Sequence, residues 1–440
     1  MASIDPTSPE SFLLSVFPER ELRRKGRLAG AFQRVRRIDF VALLLVVVFT
    51  VCGRGEQTIA EMRRELERRT GVLVARSAFW KRLSPALGKL VQQLLAEVLK
   101  ESVKSPPELH GFLATFDEVI AVDGSVVQVD DSLADRWKGT GSASAVKVHS
   151  HVRPLTGELV WYAITRETRA ECHMLKVNDD VHNKLYLLDR GYADGSLWSR
   201  IDQRGGFFLT RLKTSFTARI VDVNPGHVGS ARKARGMRVL DLGRSRGGRR
   251  IDVQCEFTVR IRGYAGKKGR QEKRRFRVVG VWNSRKKRYH LYVTNVGPDR
   301  MTAEQVAATY RLRWDVERFF VCAKSGMGMD QVNSSKAHIV ELFIRGALLR
   351  STLAMQAKRI AERHLPATRW INPLLWIRVW RERIGDLLEA HLRRRRPWRT
   401  VRWARLAKLA VDPNRKRLSA RVIASFGFAP EWPWLSASQR

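Results

Sequence analysis

The sequence predicts a mixed α/β protein, a sheet-based core flanked by helical N- and C-terminal regions and interrupted by a strongly basic, β-rich stretch. Three observations carry that prediction. Apolar residues recur at helical spacing up to about residue 104 and again after residue 302. Between about 110 and 213, short runs rich in Val, Ile, Leu and aromatics are separated by turn residues and two helical stretches. From 214 to 290, apolar residues alternate with Arg and Lys, as in Phe257-Thr258-Val259-Arg260-Ile261-Arg262.

The N-terminal part, residues 1–108, reads as a helical domain. Glu61–Arg69 and Ser77–Leu99 carry the helical spacing, the second with Phe79, Leu83, Leu87, Leu90, Leu94 and Val98. Ser84-Pro85 restarts that segment, Ser as N-cap and Pro at the first helical position. Gly71 leaves room for a helix-turn-helix-like unit, but an ordinary pair of packed helices explains the same pattern and is preferred. Phe40–Cys52 is apolar over 13 residues, broken only by Thr50. A membrane span needs about 20, so this run suits a buried helix or strand. Ser105-Pro106-Pro107 then marks a linker.

Residues 109–213 form the first part of the core. Strands are expected at Val119–Val129, Ala145–Val152, Glu158–Thr165, Lys184–Leu188 and Phe207–Lys213, with helices near Glu171–Asn178 and Gly195–Gln203. The insertion, 214–290, reads as a half-buried antiparallel sheet. Residues 231–290 hold 21 Lys and Arg against 4 Asp and Glu. Crowding like charges this densely destabilises a folded chain unless a polyanion neutralises it; a merely solvated charged face is the alternative. Residues 291–345 complete the core: Thr302-Ala303-Glu304-Gln305 has the capping-box form and opens one long helix to about Lys324, ended by Gly326 and Gly328. The remainder, 346–440, is helical and basic, with the Arg393–Arg396 run and tryptophans Trp370, Trp376, Trp380, Trp398, Trp403, Trp432 and Trp434. Core packing with a charged exterior accounts for these tryptophans better than stacking on nucleic acid does.

The whole chain of 440 residues has a formal charge of +39 and is 44% hydrophobic, so the charge sits on a folded protein that needs a polyanionic partner. Its four cysteines, Cys52, Cys172, Cys255 and Cys322, are scattered, which argues against a disulfide framework and against structural zinc. With no export signal at its start, the expected setting is a reduced cytoplasm, bound to nucleic acid and away from membranes.

In so basic a chain the acids are the informative minority. Asp123 follows Val119-Ile120-Ala121-Val122, and Asp189 follows Leu185-Tyr186-Leu187-Leu188. Carboxylates at the ends of neighbouring strands can hold Mg²⁺ through oxygen, though Asp-Gly and Asp-Arg-Gly are also ordinary turn signals. On the predicted helix, Arg313, Glu317 and Lys324 fall at about −60°, −20° and −40° from Tyr310, so the four share one face, while Asp315 falls near about 140°. Glu317 is therefore the candidate ligand on that helix. A charge-paired surface helix is the alternative, because Arg313 and Glu317 also have i, i+4 spacing.

The order Asp123, Asp189, Glu317, with Y-x-x-R-x-x-x-E-x-x-x-x-x-x-K over Tyr310, Arg313, Glu317 and Lys324, resembles the DDE transposases of bacterial insertion sequences. It looks most like the group called insertion-sequence family 4. Ile120-Ala121-Val122-Asp123-Gly124-Ser125 is similar to that group's first-Asp block and Leu187-Leu188-Asp189-Arg190-Gly191-Tyr192 to its second; Tyr292-Val293-Thr294-Asn295 looks like the strand before its Glu helix. The resemblance covers about 115 to 330. It implies a ribonuclease H-like catalytic core with the basic insertion before the Glu helix, and two Mg²⁺ ions (Mn²⁺ able to substitute) held by Asp123, Asp189 and Glu317. The implied reaction is cut-and-paste transposition: strand cleavage at the inverted repeats that end the element and strand transfer to target double-stranded DNA, by homodimers on paired ends. Tyr310, Arg313 and Lys324 would grip the terminal phosphate and flipped base, and Trp282 in the insertion would fill the gap left by an extruded base. A non-catalytic DNA-binding derivative and a nuclease with the same core are the alternatives.

Overall fold

The computed structural model describes residues 8–33, 38–49, 58–104, 106–242, 250–261, 269–283, 286–332, 334–366, 369–392 and 401–413. Among these, nine strands form one sheet: β1 (Glu118–Gln128), β2 (Ala145–Arg153), β3 (Glu158–Arg166), β4 (Lys184–Leu188), β5 (Phe207–Arg211), β6 (Arg219–Val223), β7 (Ile251–Ile261), β8 (Arg270–Asn283) and β9 (Arg288–Thr294). Their order is β3-β2-β1-β4-β5-β9-β8-β7-β6. β1, β4 and β5 run parallel, and every other pairing is antiparallel. The parallel centre explains the nearly unbroken apolar text of β4, whose Leu185, Tyr186, Leu187 and Leu188 are all buried under cover on both faces.

The insertion does not form a sheet of its own. β9 pairs with β5 on one side and β8 on the other, so β6, β7 and β8 extend the core sheet. The long β7–β8 hairpin buries Val253, Cys255, Phe257, Phe276 and Val278 at its inner end, and projects exposed Arg260, Arg270, Lys273 and Arg275 at its outer end. Charge and core thus occupy different lengths of the same strands.

One side of the sheet carries helices from both ends of the chain: α1 (Pro9–Val16), α2 (Glu19–Leu28), α3 (Phe40–Phe49), α4 (Ile59–Thr70), α5 (Arg76–Trp80) and α6 (Pro85–Lys104) from the N-terminal part, of which α6 lies against β3. On the other face lies α7 (Gly195–Gln203), whose Trp198 stacks on Phe208 at 5.4 Å and Phe216 at 4.8 Å. The insertion adds two short helices, α8 (Ala231–Ala234) and α9 (Val239–Leu242), and the core continues through α10 (Ala303–Arg311) and α11 (Trp314–Val321). The C-terminal α12 (Ala337–Glu362), α13 (Pro373–Leu392) and α14 (Trp403–Leu409) complete the first layer. α12 packs against α3, α6, α13 and α14, so a single hydrophobic core runs from Phe12 to Ala410.

Several sequence expectations are visible in this layer. Ser84 Oγ accepts the Leu87 N–H at 3.3 Å, as an N-cap should. Every residue of α3 is buried, and among the described residues no helix is long and apolar enough to cross a membrane. Trp376, Trp380 and Trp403 are fully buried and stacked, at 5.9 and 6.5 Å between successive rings, which makes them core. Trp398, Trp432, Trp434, Cys52 and the Arg393–Arg396 run lie outside the described residues.

Two expectations are corrected. Residues 171–178 contain no α-helix; one three-residue 3₁₀ turn, Glu171–His173, opens the segment and a second, Asp179–Val181, follows it. Eight residues with one well-buried anchor, Leu175, cannot offset the cost of helix nucleation. The long helix expected from Thr302 to Lys324 keeps its capping box but divides into α10, α11 and a π-helical turn at Cys322–Gly326.

β2 carries two buried histidines. His149 is held neutral by burial, its pKa lowered to about 4, and burial lowers His151 to about 3. An unfolded histidine titrates near about 6.5. Between these values the unfolded chain binds protons that the folded chain does not, so stability is full above about 6.5 and is lost as pH falls toward the folded values. The expected loss between pH ~7.5 and ~5 is about 2 kcal/mol per histidine. Urea unfolding at the two pH values, compared with His149→Gln and His151→Leu, checks this: each substitution should remove its share of the pH dependence.

Candidate active site

The parallel register sets the site. Val122 of β1 pairs with Leu188 of β4 as the last couple of that ladder. Asp123, in the middle of β1 and not at its end as expected because β1 runs on against β2, and Asp189, just past β4, therefore emerge side by side where the two strands part. Alternation also gives both the same face. Val119, Ala121, Leu185 and Leu187 point into the helical layer and Ile120, Val122, Tyr186 and Leu188 to the other side, so the two aspartates turn toward the helices.

α11 packs across β1 and β2 on that side. Between α10 and α11 the chain tightens: the Leu312 N–H bonds Thr309 O at 2.9 Å, and the Arg313 N–H bonds Tyr310 O at 3.1 Å. These i, i+3 bonds keep Leu312 and Arg313 helical in φ and ψ, so the break does not throw Arg313 off its face. Its guanidinium meets all three sequence-predicted carboxylates: Nη2 donates to Glu317 Oε1 at 2.5 Å, Nη1 to Asp123 Oδ2 at 3.4 Å, and Nε lies 3.8 Å from Asp189 Oδ1. Asp315, as its helical angle indicates, turns elsewhere and pairs with Arg318.

Asp123 is the most buried of the three. Burial raises its pKa to about 7; the Gly124 N–H, donating to Oδ1 at 2.8 Å, and Arg313 pull it down, and the charges of Asp189 and Glu171 push it up. Arg313 is 8% exposed at its side chain, against 35% for Glu317 and 38% for Asp189, so the cup opens to solvent on the side of the latter two.

Tyr310 backs the arginine. Its buried ring lies 5.2 Å from Tyr292 and 5.8 Å from the Arg313 guanidinium, and its hydroxyl donates to the carbonyl of Leu188 at 3.4 Å. Burial pushes that hydroxyl up to about 12, so it stays protonated. Lys324, in the π-helical turn, donates to Val126 O at 2.6 Å, three residues past Asp123 on the strand. Asp123, Asp189, Tyr310, Arg313, Glu317 and Lys324 therefore meet where β1 and β4 part. Trp282 does not join them. β4, β5 and β9 separate its strand from β1, and alternation places it with Phe276 and Val278 on the opposite face, edge-on to Tyr289 at 5.0 Å.

Sequence reading passed over Glu171. Its carboxylate sits against Gly124 and Gly191, each within two residues of an aspartate, and 3.5 Å from Lys147 Nζ. It lies in an irregular segment with no flanking apolar strand, so neither periodicity nor spacing singles it out.

Among the described residues, no three acidic, histidine or cysteine side chains stand close enough to share one ion. The three carboxylates are spaced around a guanidinium, one positive charge for three negative ones. Hard oxygen donors with surplus negative charge match Mg²⁺ in kind, and the guanidinium marks where cationic charge is already held.

A family model described as "Transposase DDE domain" matches residues 114–353. The chain belongs to the DDE transposase domain family. The matched span begins just before β1 and ends within α12, so it contains the sheet, the insertion and all six clustered residues. The transposase for insertion sequence element IS1151 of Clostridium perfringens is 24% identical over 318 residues, 65% of this chain and 67% of that protein. The transposase for insertion sequence element IS231B of Bacillus thuringiensis subsp. berliner is 20% identical over 362 residues, 74% of this chain and 75% of that protein. A cryo-EM structure of a piggyBac transposase synaptic complex with hairpin DNA is similar in fold, with a TM-score of 0.50 at 8% identity, over 97% of this chain and 86% of that one. The expected α/β fold, a ribonuclease H-like core with a β-rich insertion and helical flanks, is the fold of this DDE transposase domain.

Proposed function

We propose that this chain cuts and joins DNA at the ends of an insertion sequence of the Y-R-E-K type, by metal-dependent phosphoryl transfer at Asp123, Asp189 and Glu317. The observation that carries the reading is the convergence of those three carboxylates on one guanidinium, from two neighbouring strands and a helix far apart in sequence. A pure DNA binder gains nothing from three acids gathered where a phosphate must approach.

In this reading the three carboxylates hold two Mg²⁺ ions. When bound, the ions activate a water or 3′-hydroxyl as nucleophile and stabilise the leaving oxygen in an in-line displacement. Arg313 then gives up its carboxylates and turns its planar donors to phosphate, which they match in pairs. Lys324 supplies a point charge beside β1. Tyr310, buried against Tyr292, keeps Arg313 and the end of β4 in place. The outer β7–β8 hairpin, with Arg260, Arg270, Lys273 and Arg275 exposed, offers a basic track for the duplex. Two copies on paired ends would form the working complex.

The test is incubation of the purified chain with Mg²⁺ and double-stranded DNA carrying the inverted repeats that flank its reading frame. Cleavage followed by joining to target DNA is the expected result. Binding without cleavage in the presence of Mg²⁺ or Mn²⁺ would reduce the chain to a DNA-binding protein, and cleavage without joining to a nuclease. If excision proceeds through a hairpin with Trp282 filling the vacated base position, Trp282→Ala slows hairpin formation more than first-strand nicking. Equal slowing of both steps, read on a denaturing gel, assigns Trp282 to packing against Tyr289.

A further inference from the structure

We propose that Glu171 is a fourth carboxylate of the metal centre, presented to divalent ions at Asp123 and Asp189 across the two glycines that border those residues. The inference rests on the metal-dependent reading above and adds to it a ligand that the D-D-E pattern does not contain.

The placement is specific. A Cβ at Gly124 would lie 3.2 Å from Glu171 Oε1, and a Cβ at Gly191 would overlap Oε2. Neither glycine has a positive φ, so the backbone does not demand glycine at either position. The space that each glycine leaves where β1 and β4 part is occupied by this carboxylate, which a Cβ at Gly191 would push aside. The segments that carry the two aspartates thus accommodate the same third acid.

A fully buried polar group beside it has no partner. His149, opposite Gly124 in the β1–β2 ladder, uses Nε2 on Thr165 Oγ1 at 2.9 Å. Thr165 Oγ1 donates its hydrogen to Arg166 O at 3.1 Å, so Nε2 must be the donor and Nδ1 keeps a bare lone pair. That Nδ1 has no hydrogen-bond partner and lies 3.5 Å from the same Gly124 Cβ position. The Tyr192 hydroxyl, next to Gly191 in sequence, is also buried and unpartnered. His149 Nδ1 thus leaves a bare acceptor beside the Glu171 carboxylate, where a water of a hydrated ion can donate.

Charge points the same way. Three carboxylates leave two divalent ions one negative charge short, and a fourth removes the deficit. Without ions the structure balances these acids with cations of its own: Arg313 serves Asp123, Asp189 and Glu317, and Lys147 serves Glu171 at 3.5 Å. Ion entry would release both.

The test is Mn²⁺ binding to the full, DNA-free chain, followed by electron paramagnetic resonance. Asp189→Asn and Glu171→Gln are both expected to weaken Mn²⁺ binding, by about 10-fold or more, with the metal-free melting temperature of Glu171→Gln within about 2 °C of the parent. Gly191→Ala displaces the Glu171 carboxylate while keeping its charge, and should weaken binding likewise. If Asp189→Asn weakens binding while Glu171→Gln and Gly191→Ala leave it unchanged, Glu171 is structural and the inference fails with the catalytic reading intact. If neither Asp189→Asn nor Glu171→Gln changes Mn²⁺ binding, or the parent shows no saturable site, both fall. Should Glu171→Gln fail to fold, Gly191→Ala alone decides.

Discussion

Replacing Glu317 with glutamine is expected to lower DNA cleavage by at least about 10²–10³-fold, the scale on which losing one electrostatic contact to developing charge is felt. DNA affinity and melting temperature should change little. Glutamine keeps the volume and an oxygen that can still accept from Arg313 Nη2, so the i, i+4 contact that seats the arginine survives. What disappears is one full negative charge among the three that the proposed reading assigns to a metal pair. Single-turnover cleavage at saturating DNA, beside a filter-binding or anisotropy titration, separates the two effects. If cleavage and affinity fall together with melting temperature, the carboxylate is a structural partner of Arg313 and the proposed chemistry loses its third ligand.

The second large effect is on stability. Arg277 of β8 and Asp252 of β7 are each 1% exposed and doubly hydrogen-bonded, Nε to Oδ1 at 2.8 Å and Nη2 to Oδ2 at 2.6 Å. Arg277 Nη1 also donates to Met301 O at 2.7 Å and Val296 O at 3.2 Å, and Asn224 donates to Asp252 Oδ1 at 2.7 Å. This pair fastens the insertion to the segment that leads into α10, and so to the helix bearing Tyr310, Arg313 and Glu317. Arg277→Met leaves Asp252 buried without its counter-charge, a change that costs about 3–5 kcal/mol. The expected results are a lowered urea midpoint and faster hydrogen exchange in 296–301, while Arg277→Met with Asp252→Leu recovers much of the loss. A single variant with unchanged midpoint and exchange would mean that the joint is held by the β8–β9 ladder and not by the ion pair.

The reach of sequence reading differs from element to element. Periodicity placed β1, β4, β5 and α7 because one face or both faces of each had to be apolar. The capping box at Thr302 was legible because its partners lie within one helical turn. The merger of the insertion with the core sheet was not legible: strand text shows which residues face a core, but not which edge a strand joins. β9 looks the same in sequence whether it pairs with β5 and β8 or begins a separate sheet. The helical ends were read as separate regions for the same reason, because nothing local in α3, α6 or α12 says that they pack on one another. Trp282 was placed in the insertion by sequence order alone; the parity of β8 and the strands between it and β1 decide where its ring points.

For the site, order and spacing in the chain single out Asp123, Asp189 and Glu317 as candidates, because acids closing an apolar run and a one-face helical stripe are local patterns. They could not say what holds the three acids before any ion arrives. That is a matter of through-space charge: a guanidinium on the same helical face meets acids from β1 and β4 only when the parallel register and the packing of α11 bring them within reach. Glu171 is the extreme case. It is tied to the aspartates by no periodicity and no spacing, only by two glycines that leave it room, and steric room exists nowhere but in the folded chain.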